Sequence, residues 1–109
     1  MKKIIIIFSL IASFQIFAKG NVIEGKIKVE QVCQACHGLD GQGIDKTYPK
    51  LAGQFADYMV KALEDYKSGA RNNAIMSAFA TPLTKQDMEN VASYYSTLPD
   101  NRLEDLSIK

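Results

Sequence analysis

Cys33-Gln34-Ala35-Cys36-His37 is the stretch that decides how this chain reads, and it holds both cysteines and the one histidine of the 109 residues. The spacing is CxxCH, the pattern of a covalent haem attachment site. Two thiols three positions apart lie on one side of a helical turn, within reach of the two vinyl groups of one porphyrin. There they add to the vinyls as thioethers. His37 follows directly, so its imidazole is carried under the ring to ligate the iron from one face. Three other chemistries compete. A redox-active dithiol opens a helix after a strand in a βαβ pattern, whereas this pair closes a helical stretch. A zinc site takes four N or S ligands, and the chain has three, packed too tightly for a tetrahedron. A structural disulfide across two residues is the third.

The beginning of the chain predicts where a haem would be attached. Lys2 and Lys3 precede an apolar run at 4–17, interrupted only by Ser9, Ser13 and Gln15, and Ala18 offers a small residue for cleavage. Residues 1–18 therefore read as a secretory signal peptide, too short for an ordinary membrane span. Ile16 is a poor partner for Ala18 at the cleavage point, so an uncleaved anchor is the alternative. Covalent haem attachment in bacteria takes place outside the cytoplasmic membrane, so the expected location is periplasmic, and the two features agree. Residues 19–109 then form one small domain. Loss of Lys2 and Lys3 leaves 11 basic against 12 acidic residues, about −1 in net charge. No basic stripe points to nucleic acid. A core this thin needs a staple, which a covalently held haem supplies.

Three helices are expected in the domain. The first, at 22–36, is capped by Asn21 with Glu24 three residues on. Val29, Val32, Cys33 and Cys36 recur along it at helical spacing, which puts the cysteines on an apolar face. Gly25 costs helix stability relative to alanine, and a close helix crossing is one reason for it; a frayed end is the other. Gly38, Leu39, Asp40, Gly41, Gln42 and Gly43 form a loop by composition. The second helix, at 54–68, carries Phe55, Tyr58, Met59, Ala62, Leu63 and Tyr66 as a stripe and stops at Gly69. The stretch 70–84 reads as a loop, yet one too apolar to lie free on the surface. The third helix starts at Thr84 with Asp87 as its capping partner, and presents Met88, Val91, Ala92, Tyr95 and Leu98. Residues 100–109 read as a loosely held tail.

A single histidine leaves the second axial position of the iron to another side chain. Thioether is the usual choice in electron carriers and raises the reduction potential. Met59 and Met88 sit in helical stripes, where methionine fills cores. Met76 lies in the apolar loop, 39 residues after His37, far enough along the chain to reach the other face. Met76 is therefore the candidate sixth ligand.

Taken in order, CQACHG, YPKLAGQ, a helix ending YKSGAR, Met76 and LTKQDMENVASYYSTLP resemble the small class I c-type cytochromes of bacteria, and one half of a two-haem cytochrome c4. The resemblance covers nearly all of 19–109. It implies an all-α cytochrome c fold, three main helices and loops wrapped around one covalent haem c. It further implies thioethers at Cys33 and Cys36, and iron ligation by His37 and Met76. It sets Gly25 and Val29 against Tyr94 or Tyr95, has the Pro49 carbonyl accept the His37 ring N–H, and brings Arg71 to a haem propionate. The function it implies is one-electron transfer between respiratory partners, such as a quinol-oxidising complex and a terminal oxidase or reductase. Membranes are then met only through those partners, and the chain is a carrier rather than an enzyme. Two alternatives remain: the cytochrome subunit of a periplasmic dehydrogenase, and a five-coordinate haem sensor or ligand-binding protein.

Overall fold

The computed structural model describes residues 2–11 and 20–100, and among these every regular element is a helix. The expected cleavage point at Ile16 and Ala18, and the tail beyond Asp100, lie outside the described residues. No described helix is long and apolar enough to cross a membrane.

Helix α1 (Val22–Lys28) begins where the sequence places it. The Asn21 carboxamide accepts from the Ile23 and Glu24 N–H groups at 2.9 and 3.1 Å, satisfying donors that have no partner within the helix. The helix then runs through a π-helical turn at Val29–Cys33 into α2 (Gln34–His37). There the Gln34 N–H reaches back five residues to the Val29 carbonyl. One extra residue in a turn shifts every later side chain around the axis. Val29 accordingly packs into the core with no exposure, while Val32, Cys33 and Cys36 turn to line a cavity. The four residues expected on one face are thus shared between two surfaces, with Cys33 touching both.

Helix α3 (Ala56–Ser68) ends at Gly69, whose φ of +85° is the left-handed conformation that stops a helix. The next segment corrects the sequence reading. The stretch 70–84, expected to be a loop, contains α4 (Ala74–Ala80). Asn73, taken as a loop residue, is its cap and accepts from the Met76 N–H at 3.0 Å. Seven residues, two turns, are too few to display a helical period in sequence. Helix α5 (Lys85–Thr97) has the expected start: the Thr84 hydroxyl accepts from the Asp87 N–H, and the Asp87 carboxylate accepts from the Thr84 N–H, each at 3.0 Å.

Helices α1 and α5 make the most extensive contact in the fold. Val29 joins Val91, Ala92, Tyr94 and Tyr95 there, with Met59 and Val60 of α3 completing the core. Gly25 sits at the crossing. A Cβ on it would stand 1.9 Å from the Asn90 carbonyl oxygen and 3.0 Å from the Tyr94 Cβ. The close-crossing explanation of this glycine is therefore correct. The two tyrosines also reach past α1: the Tyr94 and Tyr95 hydroxyls donate to the Leu39 and Gly38 carbonyls at 2.7 and 2.9 Å. Beneath them Gly41 (φ +71°) leaves room for Ala52 and the Tyr95 ring.

Asp87 makes this frame pH-dependent. Burial alone would raise its carboxyl, but the Thr84 hydrogen bonds and Lys28, 3.6 Å away, outweigh that and hold it below the ordinary carboxylate value. A group with a lowered folded pKa contributes stability above its unfolded pKa, and that contribution is lost as pH falls through the folded value. Asp87→Ala is thus expected to cost about 0.3–1 kcal/mol at neutral pH, with the gap to wild type narrowing below the ordinary value of 3.8. Urea midpoints measured across that range check it; a gap constant with pH would mean that the charge contributes nothing.

Candidate functional site

The helices enclose a cavity of about 360 Å³. Cys33, Cys36 and His37 form one part of its wall, and Tyr58, Met59, Ala62, Leu63 and Tyr66 of α3 form another. Helix α4 contributes Ile75, Met76 and Phe79, and Leu83 follows. The CxxCH residues and Met76, 39 positions apart in sequence, therefore share one chamber. The α3 stripe read from sequence is the cavity face of that helix, except for Phe55, which is 80% exposed. Of the methionines, Met88 is buried away from the cavity, while Met59 lines it but is 6% exposed in the core cluster. Met76 is half-buried on a short helix.

His37 is buried, and its Nδ1 lies 2.8 Å from the Pro49 carbonyl oxygen. A carbonyl only accepts, so Nδ1 carries the proton and the lone pair is left on Nε2. A second-shell bond of this kind holds a ligating imidazole in one tautomer and orientation. The Tyr48 ring meets the imidazole edge-on, with centroids 6.4 Å apart. The segment after the motif is tied back to it: Gly43 and Ile44 donate to the His37 and Cys36 carbonyls at 2.7 and 3.0 Å. Together with the Tyr94 and Tyr95 hydroxyls, these bonds fix the backbone on which His37 is mounted. The resemblance implied a tyrosine at the helix crossing but not the bonds to Leu39 and Gly38. A buried tyrosine's need for an acceptor was the available signal.

The electrostatics select among the chemistries left open by the motif. Burial pushes the Cys33 thiol up to about 11, against the opposing pull of Lys28. Thiol exchange needs the thiolate, and reactive dithiols lower this pKa rather than raise it. Among the described residues no group of three or more His, Cys, Asp or Glu stands where an ion could be held, which gives the zinc reading no support. A haem fits instead. The wall is largely apolar, two thiols and an imidazole lie in one turn of chain, a thioether comes from another helix, and among the described residues no carboxylate lines the chamber. The charged groups on the wall are cationic. Lys50 pairs with Asp100 at 3.1 Å, and Arg71 lies over the Tyr66 ring at 4.9 Å. Arg71, singled out by resemblance, is thus on the wall, while Thr47 and the Tyr48 and Lys50 of the YPKLAGQ stretch line it without a role assigned from the sequence.

Comparison with known proteins agrees with this geometry. The cytochrome c family model matches residues 22–99. The chain is 44% identical over 80 residues to cytochrome c4 of Thiocapsa roseopersicina, a match covering 73% of this chain and 41% of that protein. It is 40% identical over 81 residues to cytochrome c-554(548) of Halomonas halodenitrificans, covering 72% of this chain and 96% of that one. The thiosulfate dehydrogenase electron acceptor of Thiomonas intermedia is 45% identical over 67 residues, 61% of this chain and 31% of the relative. In structure, cytochrome c4 of Acidithiobacillus ferrooxidans superposes with a TM-score of 0.68 at 36% identity, over 75% of this chain and 52% of that chain. The match thus spans about half or less of the cytochrome c4 relatives' length, and nearly all of cytochrome c-554(548).

Proposed function

Because the chain belongs to the cytochrome c family, whose cofactor is covalent haem c, we propose that it works as a periplasmic one-electron carrier. In this reading Cys33 and Cys36 hold the haem through thioethers, and His37 and Met76 ligate its iron. The observation that carries it is the His37–Pro49 contact in a cavity that Met76 also lines: with Nδ1 on the carbonyl, the Nε2 lone pair is left to ligate, and a thioether stands on the same wall. When bound, the haem supplies the ferric–ferrous couple. The chain's residues do the rest. The two sulfurs prevent dissociation, and Pro49 fixes the imidazole tautomer. The Met76 thioether favours the ferrous state and so raises the potential. The apolar wall from α3 and α4 keeps water from the iron and limits what must reorganise when the charge changes.

The periplasmic location rests on Lys2, Lys3 and the apolar run at 4–17. Partners of a carrier bind briefly through a small interface; a quinol-oxidising complex as donor and a terminal oxidase or reductase as acceptor fit that role. A second reading, acceptor to one dedicated periplasmic dehydrogenase, is favoured by the thiosulfate dehydrogenase electron acceptor among the relatives. A catalytic subunit co-purifying from the native source distinguishes it.

Visible spectra of protein exported alongside a haem-attachment system test the proposal. The expected result is a sharp reduced c-type spectrum plus the weak far-red ferric band of methionine–iron ligation. Covalent haem without that band would remove Met76 from the iron and favour an open site. Colourless protein would return the motif to dithiol chemistry.

A further inference from the structure

We propose that Lys67 is a positioning residue for Met76, acting through the turn that closes α4; this rests on Met76 as an iron ligand. Helix α4 has seven residues, far fewer than a helix needs to persist alone in water. Something must hold it for its thioether to stay at one place. Its start is held by Asn73, which accepts from the Met76 N–H itself at 3.0 Å. Its end is held from outside. The Leu83 N–H donates to the Ala80 carbonyl at 3.1 Å, and the Lys67 ammonium donates to the Leu83 carbonyl at 2.6 Å. Ala80 and Leu83 are both buried, and Leu83 lines the same cavity as Met76.

Lys67 stands in the last turn of α3, where a lysine is ordinarily explained by the helix dipole. The bond it makes is not to that helix's own end but to a carbonyl 16 residues further on. It joins α3, which forms one wall of the cavity, to the turn that follows the helix carrying the methionine. A charged donor makes the stronger kind of hydrogen bond, and here it clasps a turn with buried residues at both ends. Without it, the end of α4 keeps only its own turn bonds, from Thr81 to the Ser77 carbonyl and from Leu83 to the Ala80 carbonyl, and loses its tie to α3 through Lys67, so the thioether leaves the iron more often. The fraction of time spent off is expected to rise roughly tenfold to a hundredfold, the range for loss of a charge-assisted bond.

The test uses the exported, haem-loaded protein and the rate at which carbon monoxide binds its reduced form, alongside the far-red band and the thermal midpoint. Lys67→Met should bind carbon monoxide about tenfold faster or more, and Lys67→Arg, which keeps a charged donor, should stay near wild type. Lys67→Gln should fall between them and gives a second reading if the methionine variant is not recovered. Asn21→Ala removes the cap of α1 rather than anything in α4 or its closing turn, so it should lower the midpoint and leave the carbon monoxide rate unchanged. Wild-type rates in both Lys67→Met and Lys67→Gln would overturn the clasp, as would an equal acceleration in Asn21→Ala. If wild type itself lacks the far-red band, the ligation premise falls, and the clasp falls with it.

Discussion

Gly25→Ala is expected to destabilise the folded protein, and Gly25→Val to prevent stable folding, although both substitutions sit inside a helix. Intrinsic propensity argues the other way: alanine in a helix interior is worth up to about 1 kcal/mol over glycine. Packing decides the sign. The added Cβ would lie 1.9 Å from the Asn90 carbonyl oxygen and 2.6 Å from its carbon. Those are backbone atoms in the middle of α5, which cannot rotate aside as a flexible side chain does. The helices must separate, and separation loosens Tyr94 together with Val29 and Tyr95, which are fully buried. Overpacking of this kind costs about 1–3 kcal/mol for a single added group, which exceeds the propensity gain. Valine adds two more methyl groups to the same gap. Thermal or urea unfolding of the haem-loaded variants measures the effect, and a Gly25→Ala midpoint above wild type would show that the crossing is loose.

Gly25 also shows how sequence and structure divide the information. A glycine inside a capped, periodic helix reads as a cost that needs a reason, and two reasons fit equally well until the partner helix is known. The partner lies 65 to 69 positions away, and no local pattern reports it. What local chemistry does report is accurate. Asn21, Gly69, Thr84 and Asp87 terminate their helices as their side chains or missing side chain require. The α3 stripe is the cavity wall because an apolar face needs apolar cover, whether that cover is protein or cofactor.

The π-helical turn and α4 escape such reading for physical reasons. A single inserted residue at Val29–Cys33 leaves composition unchanged and alters only the register, so Val32 and the cysteines part from Val29 with no sign in the sequence. Helix α4 is too short for periodicity, and its cap, Asn73, belongs to a residue type equally at home in turns. Its apolar content was nevertheless informative: Ile75, Met76 and Phe79 line a cavity, as a segment too apolar for a free loop must. The cation set is different again. Lys50 and Arg71 reach the wall from separate loops, and Lys67 finds its acceptor 16 residues away, pairings that follow from the fold rather than from the local chain.

Met76→Ala is the substitution expected to change function most while leaving the fold standing. Met76 is half-buried on α4, outside the core cluster formed by Val29 of the π-helical turn, α3 and α5, so its removal empties a place on the cavity wall rather than in the centre of packing. The thioethers at Cys33 and Cys36 do not depend on it, and haem content should match wild type. The iron loses a ligand that favours its ferrous state, so the potential should drop by an amount on the order of 0.1 V or more, within the ~0.8 V that axial ligands span. The far-red band should vanish, and carbon monoxide should bind the reduced protein rapidly at neutral pH. Met59→Ala is the matched comparison, because Met59 lines the same cavity but is buried in the core. It should retain the band and the potential while losing about 2–5 kcal/mol of stability. Equilibrium redox titration with carbon monoxide flash photolysis separates the two variants. An exchange of their phenotypes would make Met59 the ligand and α4 only part of the wall; unchanged spectra in both would assign the second axial position to neither.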